Sequence, residues 1–95
     1  MHIITYKRIK EFAAKYPDSR ASLENWYRIV KQTDYDSFNQ LRQHFSDADY
    51  VDGFVVFNIS GNRYRLIAAI HFNRKKIYIR DILAHAEYDK NKWKR

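Results

Sequence analysis

The chain has 95 residues, 45% of them apolar and 17% aromatic, enough for one domain with a continuous core and too hydrophobic for a disordered chain. With no cysteine it has neither a disulfide framework nor a thiolate metal site, and no apolar stretch approaches membrane-spanning length. The net charge of +7 sits in the last third: residues 1–62 hold eight Lys/Arg and eight Asp/Glu, whereas residues 63–95 hold ten Lys/Arg against three acids, a balance that points to a polyanion partner, RNA above all.

Ile3 and Ile4 read as a short first strand. The opening residues lack the basic start and long apolar run of a secretory leader, so the cytoplasm is the expected compartment. Tyr6, Ile9, Phe12, Ala13 and Tyr16 then recur at helical spacing, with Thr5 placed to cap. The only proline, Pro17, ends that helix, and Asp18 is positioned to cap the next. A second helix carries Leu23, Trp26, Tyr27 and Val30 on one face, and a third, opened by Asp36 or Ser37, carries Phe38, Leu41 and Phe45. These aromatic residues are assigned to the core. Asp47, Asp49 and Asp52 resemble a cation loop only superficially. Val51 stands at its fifth position, and its sixth-position glycine and twelfth-position glutamate are missing, so they are read as solvated loop acids.

From residue 54 the pattern changes. Phe54–Ile59 is a β-branched and aromatic run closed by Ser60-Gly61-Asn62. Arg63–Phe72 is a second run, turned by Asn73-Arg74, and Lys76–Ala84 a third; a last helical piece starts at Ala86. Short turns between successive strands predict an antiparallel meander. The economical reading is one α+β domain over residues 1–95, with the N-terminal helices covering one face of a small antiparallel sheet.

Side chains alternate along a strand, so parity sorts them. Tyr64, Leu66, Ala68 and Ile70 share one face, with Arg63, Arg65, Ile67 and His71 on the other. In the third run Ile77, Ile79 and Leu83 share a face with Asp81, which sits there awkwardly, while Lys76, Tyr78, Arg80 and Ile82 take the opposite one. A two-residue turn at Asn73-Arg74 sets Arg65 opposite Ile82. The face away from the helices then presents Asn58, Arg65 and Arg80. Arginines on a half-buried face are costly unless an anion meets them, and guanidinium groups grip phosphate through two parallel bonds.

The stretch Val56-Phe57-Asn58-Ile59-Ser60-Gly61-Asn62-Arg63-Tyr64-Arg65-Leu66-Ile67, followed by Tyr78-Ile79-Arg80 and by His85-Ala86-Glu87-Tyr88-Asp89-Lys90, resembles the HigB family of toxins, within the broader RelE-like group. The resemblance spans essentially the whole chain. It implies a RelE-like fold with helices on a strongly twisted antiparallel sheet. It also implies an endoribonuclease that cuts messenger RNA, commonly on the ribosome, needs no metal or other cofactor, and is neutralised by a cognate helix-turn-helix (HigA-like) antitoxin. Metal-independent RNA cleavage uses the neighbouring 2′-OH as nucleophile. It needs a base for that hydroxyl, an acid for the leaving 5′-oxygen and cations for the charge on phosphorus. Arg65, matching the arginine such toxins carry after the glycine turn, is the first candidate for the clamp and Arg80 the second. His85 is the candidate for proton transfer, imidazole being the side chain that most readily exchanges a proton near neutrality. Tyr88, three residues on, carries over as the C-terminal tyrosine of the group and orients a base or donates a proton. Asn58, Arg63, Lys75, Lys76, Lys90 and Lys92 are assigned to the RNA backbone. His2 and His44 are read as structural and His71 as a weak candidate. The competing reading is a non-catalytic RNA- or DNA-binding module, which needs no His85 and shifts RNA without shortening it.

Overall fold

The computed structural model describes residues 1–94; Arg95, the end of the basic tail, lies outside them. The elements in chain order are β1 (His2–Ile4), α1 (Lys7–Lys15), a 3-10 turn (Pro17–Ser19), α2 (Arg20–Gln32) and α3 (Phe38–His44). There follow β2 (Asp49–Val51), β3 (Phe54–Ile59), β4 (Tyr64–His71), a second 3-10 turn (Phe72–Arg74), β5 (Lys76–Ala84) and α4 (His85–Asp89). One five-stranded sheet has the order β1-β5-β4-β3-β2. Strands β3 to β5 form the expected antiparallel meander, β2 extends it by one strand, and β1, which precedes the three helices in the chain, adds a parallel edge against β5.

The helix ends differ from expectation in two places. Thr5 adopts a positive φ of 73° and turns its hydroxyl to the Ile79 carbonyl (3.1 Å), so it does not cap α1. Asp18 leaves the α2 terminus and reaches β4, accepting from the Tyr64 hydroxyl (2.7 Å) and Arg63 Nη1 (2.9 Å). Those partners hold its carboxyl below the usual carboxylate range, the Tyr64 hydrogen bond most of all. Ser37 does cap α3, accepting from the Gln40 amide at 3.2 Å, while the Gln40 side chain accepts from the Asp36 amide.

The acidic segment taken for loop contains β2. Asp52 and Gly53 both have positive φ (54° and 83°), the two-residue hairpin geometry that Asp-Gly favours, and they fold Asp49–Val51 back onto β3. The β3–β4 turn likewise has Ser60 and Gly61 at positive φ. It sets Asn58 opposite Arg65, as parity predicts.

The β4–β5 pairing holds the main departure. Its connection is four residues long, closed by Lys75 at φ 54°, and His71 pairs with Lys76. Up to Ala68↔Ile79 the predicted parity stands. Then Ile67 pairs with Asp81, leaving Arg80 as an extra residue, a β-bulge. Beyond it the faces of β5 exchange: Ile82 enters the main core, Leu83 takes the opposite face, and Arg65 faces Leu83 rather than Ile82. The awkward position of Asp81 disappears with the slip, since its carboxylate bonds the Ile82 amide (2.9 Å) and lies 4.0 Å from Arg8 of α1.

The main core packs Ile9, Leu23, Trp26, Val30 and Leu41 of the helices on Val55, Phe57, Leu66, Ile77 and Ile79 of the sheet. Full burial of side chains of this size is worth about 1.5–3 kcal/mol each. A second, smaller cluster lies on the other face: Phe54, Val56, Ile67 and Trp93, with Val51, Leu83 and Tyr88 packed against it. That face was expected to be open. Instead α4 and the tail fold over it.

Candidate active site

The candidate catalytic residues come from three neighbouring elements. Arg65 stands near the start of β4, Arg80 at the bulge of β5, and His85 and Tyr88 on α4, which begins where β5 ends. The His85 amide donates to the Arg63 carbonyl at 2.9 Å, fastening the first residue of α4 beside the first residues of β4.

Arg65 departs from the sequence reading. It is not an outward side chain but the only buried charged one among the described residues, 9% exposed. Its Nη1 donates to the carbonyls of Asn62 (3.2 Å) and Tyr64 (3.1 Å), its Nη2 to Asn62 Oδ1 (2.6 Å), and its guanidinium lies 5.5 Å from the Tyr88 ring centroid. The burial follows from α4 and the tail closing over this face. Among the described residues no carboxylate forms an ion pair with it. Three of the five guanidinium N–H groups are engaged by neutral acceptors, and none by an anion.

Arg80 is exposed, with its guanidinium 4.9 Å from the Phe54 ring centroid and its Nε donating to the Trp93 carbonyl at 3.2 Å. Alternation from Ile79 places Arg80 on this face, and the bulge leaves it there without a partner in the β4–β5 ladder. His85 is about half exposed, and its Nδ1 lies 3.0 Å from Asp89 Oδ2, one helical turn on. Burial pushes the Tyr88 phenol above its ordinary pKa; Asp49 and Asp89 add to the rise and Arg65 opposes it. Tyr88 is therefore a neutral phenol throughout the physiological range, suited to donate a proton rather than to act as a phenolate base.

The six residues assigned to RNA contact do not form one patch. Asn58 is exposed, across the ladder from Arg65. Arg63 beside it is bound to Asp18, and Lys90 lies 3.2 Å from Glu87. Lys92 is exposed in the tail. Lys75 and Lys76 stand at the far end of β5, roughly 25 Å from its His85 end at a strand rise of about 3.3 Å per residue. Lys75 is moreover paired with Asp36 and donates to the Tyr35 carbonyl (3.1 Å). His44 bonds the Tyr35 hydroxyl (2.8 Å) and His71 packs edge-on to Tyr78, both away from this site.

Three residues at the site escaped the sequence reading: Asn62, Asp89 and Trp93. Asp89 was visible as the acid four places after His85. Asn62 had only its place in the glycine turn, three before Arg65. Nothing in the spacing marked Trp93. Among the described residues no three His, Asp or Glu side chains are grouped as metal ligands, and no helix is long and apolar enough to cross a membrane. Surface grooves between α1 and β5 and between α1 and α2 lie on the helical side of the sheet, away from these residues.

Chemically the arrangement offers an anion-receptive guanidinium, an imidazole oriented by a carboxylate, and a neutral phenol. Residues 19–91 match the family model for the HigB toxin, a RelE-like toxic component of a toxin–antitoxin system. The chain is 38% identical over 93 residues to the mRNA interferase HigB of Escherichia coli O6:H1 (strain CFT073), covering 95% of this chain and 90% of that protein. It is 35% identical over 92 residues to the mRNA interferase toxin HigB of Escherichia coli K12 and to the mRNA interferase HigB of Shigella flexneri, covering 94% of this chain and 88% of each of those.

Proposed function

The chain belongs to the HigB family of RelE-like toxins, the toxic components of toxin–antitoxin systems, and from that premise we propose that it is an mRNA-cleaving endoribonuclease in which Arg65 holds the scissile phosphate. The observation that carries this is the buried Arg65 guanidinium with no carboxylate partner among the described residues. A buried charge without a counter-charge is strongly disfavoured, and a phosphate supplies one in the form the guanidinium fork matches best.

The reaction runs without metal or other cofactor. Asp89 accepts the Nδ1 proton of His85, which leaves the Nε2 lone pair of the neutral imidazole to take the proton from the 2′-OH. The O2′–P bond forms as the P–O5′ bond breaks. The leaving 5′-oxygen takes its proton from Tyr88, and the products are a 2′,3′-cyclic phosphate and a 5′-OH. Arg65, with Arg80 beside it, neutralises the charge that builds on the phosphoryl oxygens. Asn58, Arg63, Lys90 and Lys92 contact the RNA backbone near the cut. Lys75 and Lys76 do so only where the strand continues along β5. The single RelE-like domain works on ribosome-bound mRNA in the cytoplasm and is restrained by a HigA-like helix-turn-helix antitoxin.

The test is cleavage of ribosome-bound mRNA by the purified toxin, with and without chelator, and with a single 2′-deoxy sugar at the cut site. Products ending in a cyclic or 3′-phosphate, insensitivity to chelator and a resistant deoxy substrate are expected. Cleavage of the deoxy substrate rules out 2′-OH attack, and RNA that is bound but never shortened makes the chain a binding module. In cells, expression without the antitoxin should arrest growth with loss of mRNA.

A further inference from the structure

Resting on that assignment of Tyr88 and Arg80, we propose that Trp93 is a positioning residue of the reaction, the clasp that sets the geometry of both. Trp93 belongs to no regular element, yet it is 5% exposed while Lys92 and Lys94 on either side are exposed. Asn91, at a positive φ of 60°, turns the tail so that the indole comes back under α4.

Three contacts define its place. The indole ring stacks on Tyr88, centroids 5.0 Å apart and planes 14° from parallel. Its Nε1–H donates to the Tyr88 carbonyl at 3.0 Å, and its own carbonyl accepts from Arg80 Nε at 3.2 Å. The Phe54 ring, which carries the Arg80 guanidinium, meets the indole at 6.3 Å. The contacts thus run Arg65–Tyr88–Trp93–Arg80 without a gap.

The sequence around α4 needs such a clasp. A helix of five residues is far below the length that holds itself, because nucleation is unfavourable and few hydrogen bonds follow it. Its last carbonyls require donors, and that of Tyr88 accepts from the Asn91 amide (3.1 Å) and from the indole N–H as well, which ties the tail to the helix end. The phenol's orientation and depth therefore depend on the indole face beneath it. Trp93 is placed too deep to touch an RNA strand, so its influence on the reaction passes through Tyr88 and Arg80. A proton donor displaced by even 1 Å from its in-line position costs on the order of 10²-fold in rate.

The test compares Trp93→Phe and Trp93→Ala toxin on ribosome-bound mRNA, each alone and combined with Tyr88→Phe, with kcat and KM determined separately. Trp93→Ala is expected to lower kcat by 10- to 100-fold while changing KM less than about threefold, and Trp93→Phe, which keeps a ring under the phenol, to recover most of the loss. On the Tyr88→Phe background the further loss should shrink to the smaller part carried through Arg80, because the main effect passes through the phenol that Trp93 positions. A wild-type kcat in Trp93→Ala, or a full second loss in the double variant, overturns the proposal. If Trp93→Ala does not fold, Trp93→Phe alone decides: a folded variant with kcat below wild type but above Tyr88→Phe supports positioning, and one indistinguishable from either overturns it. A separate readout is the alkaline absorbance titration of the Tyr88 phenol, obtained as the difference between each protein and its Tyr88→Phe counterpart. It should fall toward the ordinary tyrosine value in Trp93→Ala. If Tyr88→Phe cleaves as well as wild type, the assignment of Tyr88 has failed; the titration then still reports whether Trp93 holds the ring, and its catalytic role is rejected.

Discussion

Removing the Arg65 side chain separates its proposed work on RNA from its work in the fold. In Arg65→Ala the proposed clamp loses a charge-assisted contact to phosphate, the one needed most in the transition state. By the standard of lost oxyanion donors this costs about 2.7–4 kcal/mol, or about 10²- to 10³-fold in kcat. Stability changes through opposing effects. Three hydrogen bonds to Asn62 and Tyr64 disappear, each worth about 0.5–1.5 kcal/mol net. Against that, a buried guanidinium with no counter-charge no longer has to be desolvated, which offsets several kcal/mol of such a loss. Asn62 is exposed, so water takes up its freed oxygen. The net effect should stay near 1 kcal/mol, and in a domain of this size that moves Tm by about 4–8 °C. The assay is cleavage of ribosome-bound mRNA at saturating toxin, paired with a thermal melt of the same preparation. Arg65→Lys sharpens it: the charge remains but the two-pronged grip does not, so its rate should fall between wild type and Arg65→Ala. A folded Arg65→Ala that cleaves at the wild-type rate refutes the phosphate clamp. Loss of the folded state in both variants makes Arg65 a structural residue instead.

Further expectations follow from the same geometry. His85→Ala should lower the cleavage rate by about 10²- to 10⁴-fold, the usual worth of a positioned acid or base. Asp89→Asn should lower it in the same direction, because an amide oxygen or N–H facing Nδ1 no longer enforces the tautomer that exposes Nε2; a rate equal to wild type would remove Asp89 from the mechanism. Asp18, whose pKa is depressed by the Tyr64 hydroxyl and then by Arg63, stabilises the fold only while ionised. Its contribution is present above the ordinary carboxylate value of about 3.9 and is lost as pH falls through the depressed folded value. Melts of wild type and Asp18→Asn should therefore differ at neutral pH and converge at strongly acid pH, and a gap that persists there would contradict the linkage. Tyr88, raised chiefly by burial, should stay protonated beyond pH 10, so no alkaline loss of activity below that value should depend on it; a Tyr88-dependent limb near neutrality would make it a base.

Much of this protein is legible along the chain because the relevant physics is local. Helical spacing at Ile9, Ala13, Leu23, Trp26 and Val30 marks core faces, and continuous β-branched runs mark β3, β4 and β5, with β3 and β5 found at their predicted bounds. The charge asymmetry after residue 62 and the VFNISGNRYRLI and H-x-x-Y-D motifs were sufficient to reach the family. Strand β2, absent from the sequence reading, also has a local signal in the hairpin dipeptide Asp52-Gly53. What composition and parity could not decide depends on contacts between distant segments. The bulge at Arg80 follows from how β5 meets β4, and one extra residue exchanges every face beyond it, so Ile82 and Leu83 trade places. The burial of Arg65 depends on α4 and Trp93 folding over a sheet face that looks open when only the strands are considered. Asp18 was given to a helix end because it stands beside one, and only the folded chain brings Tyr64 and Arg63 to it across 45 residues of sequence. Sequence spacing thus determined which residue types carry the chemistry, whereas tertiary packing decided which of them are buried, which are already paired, and which remain for an anion.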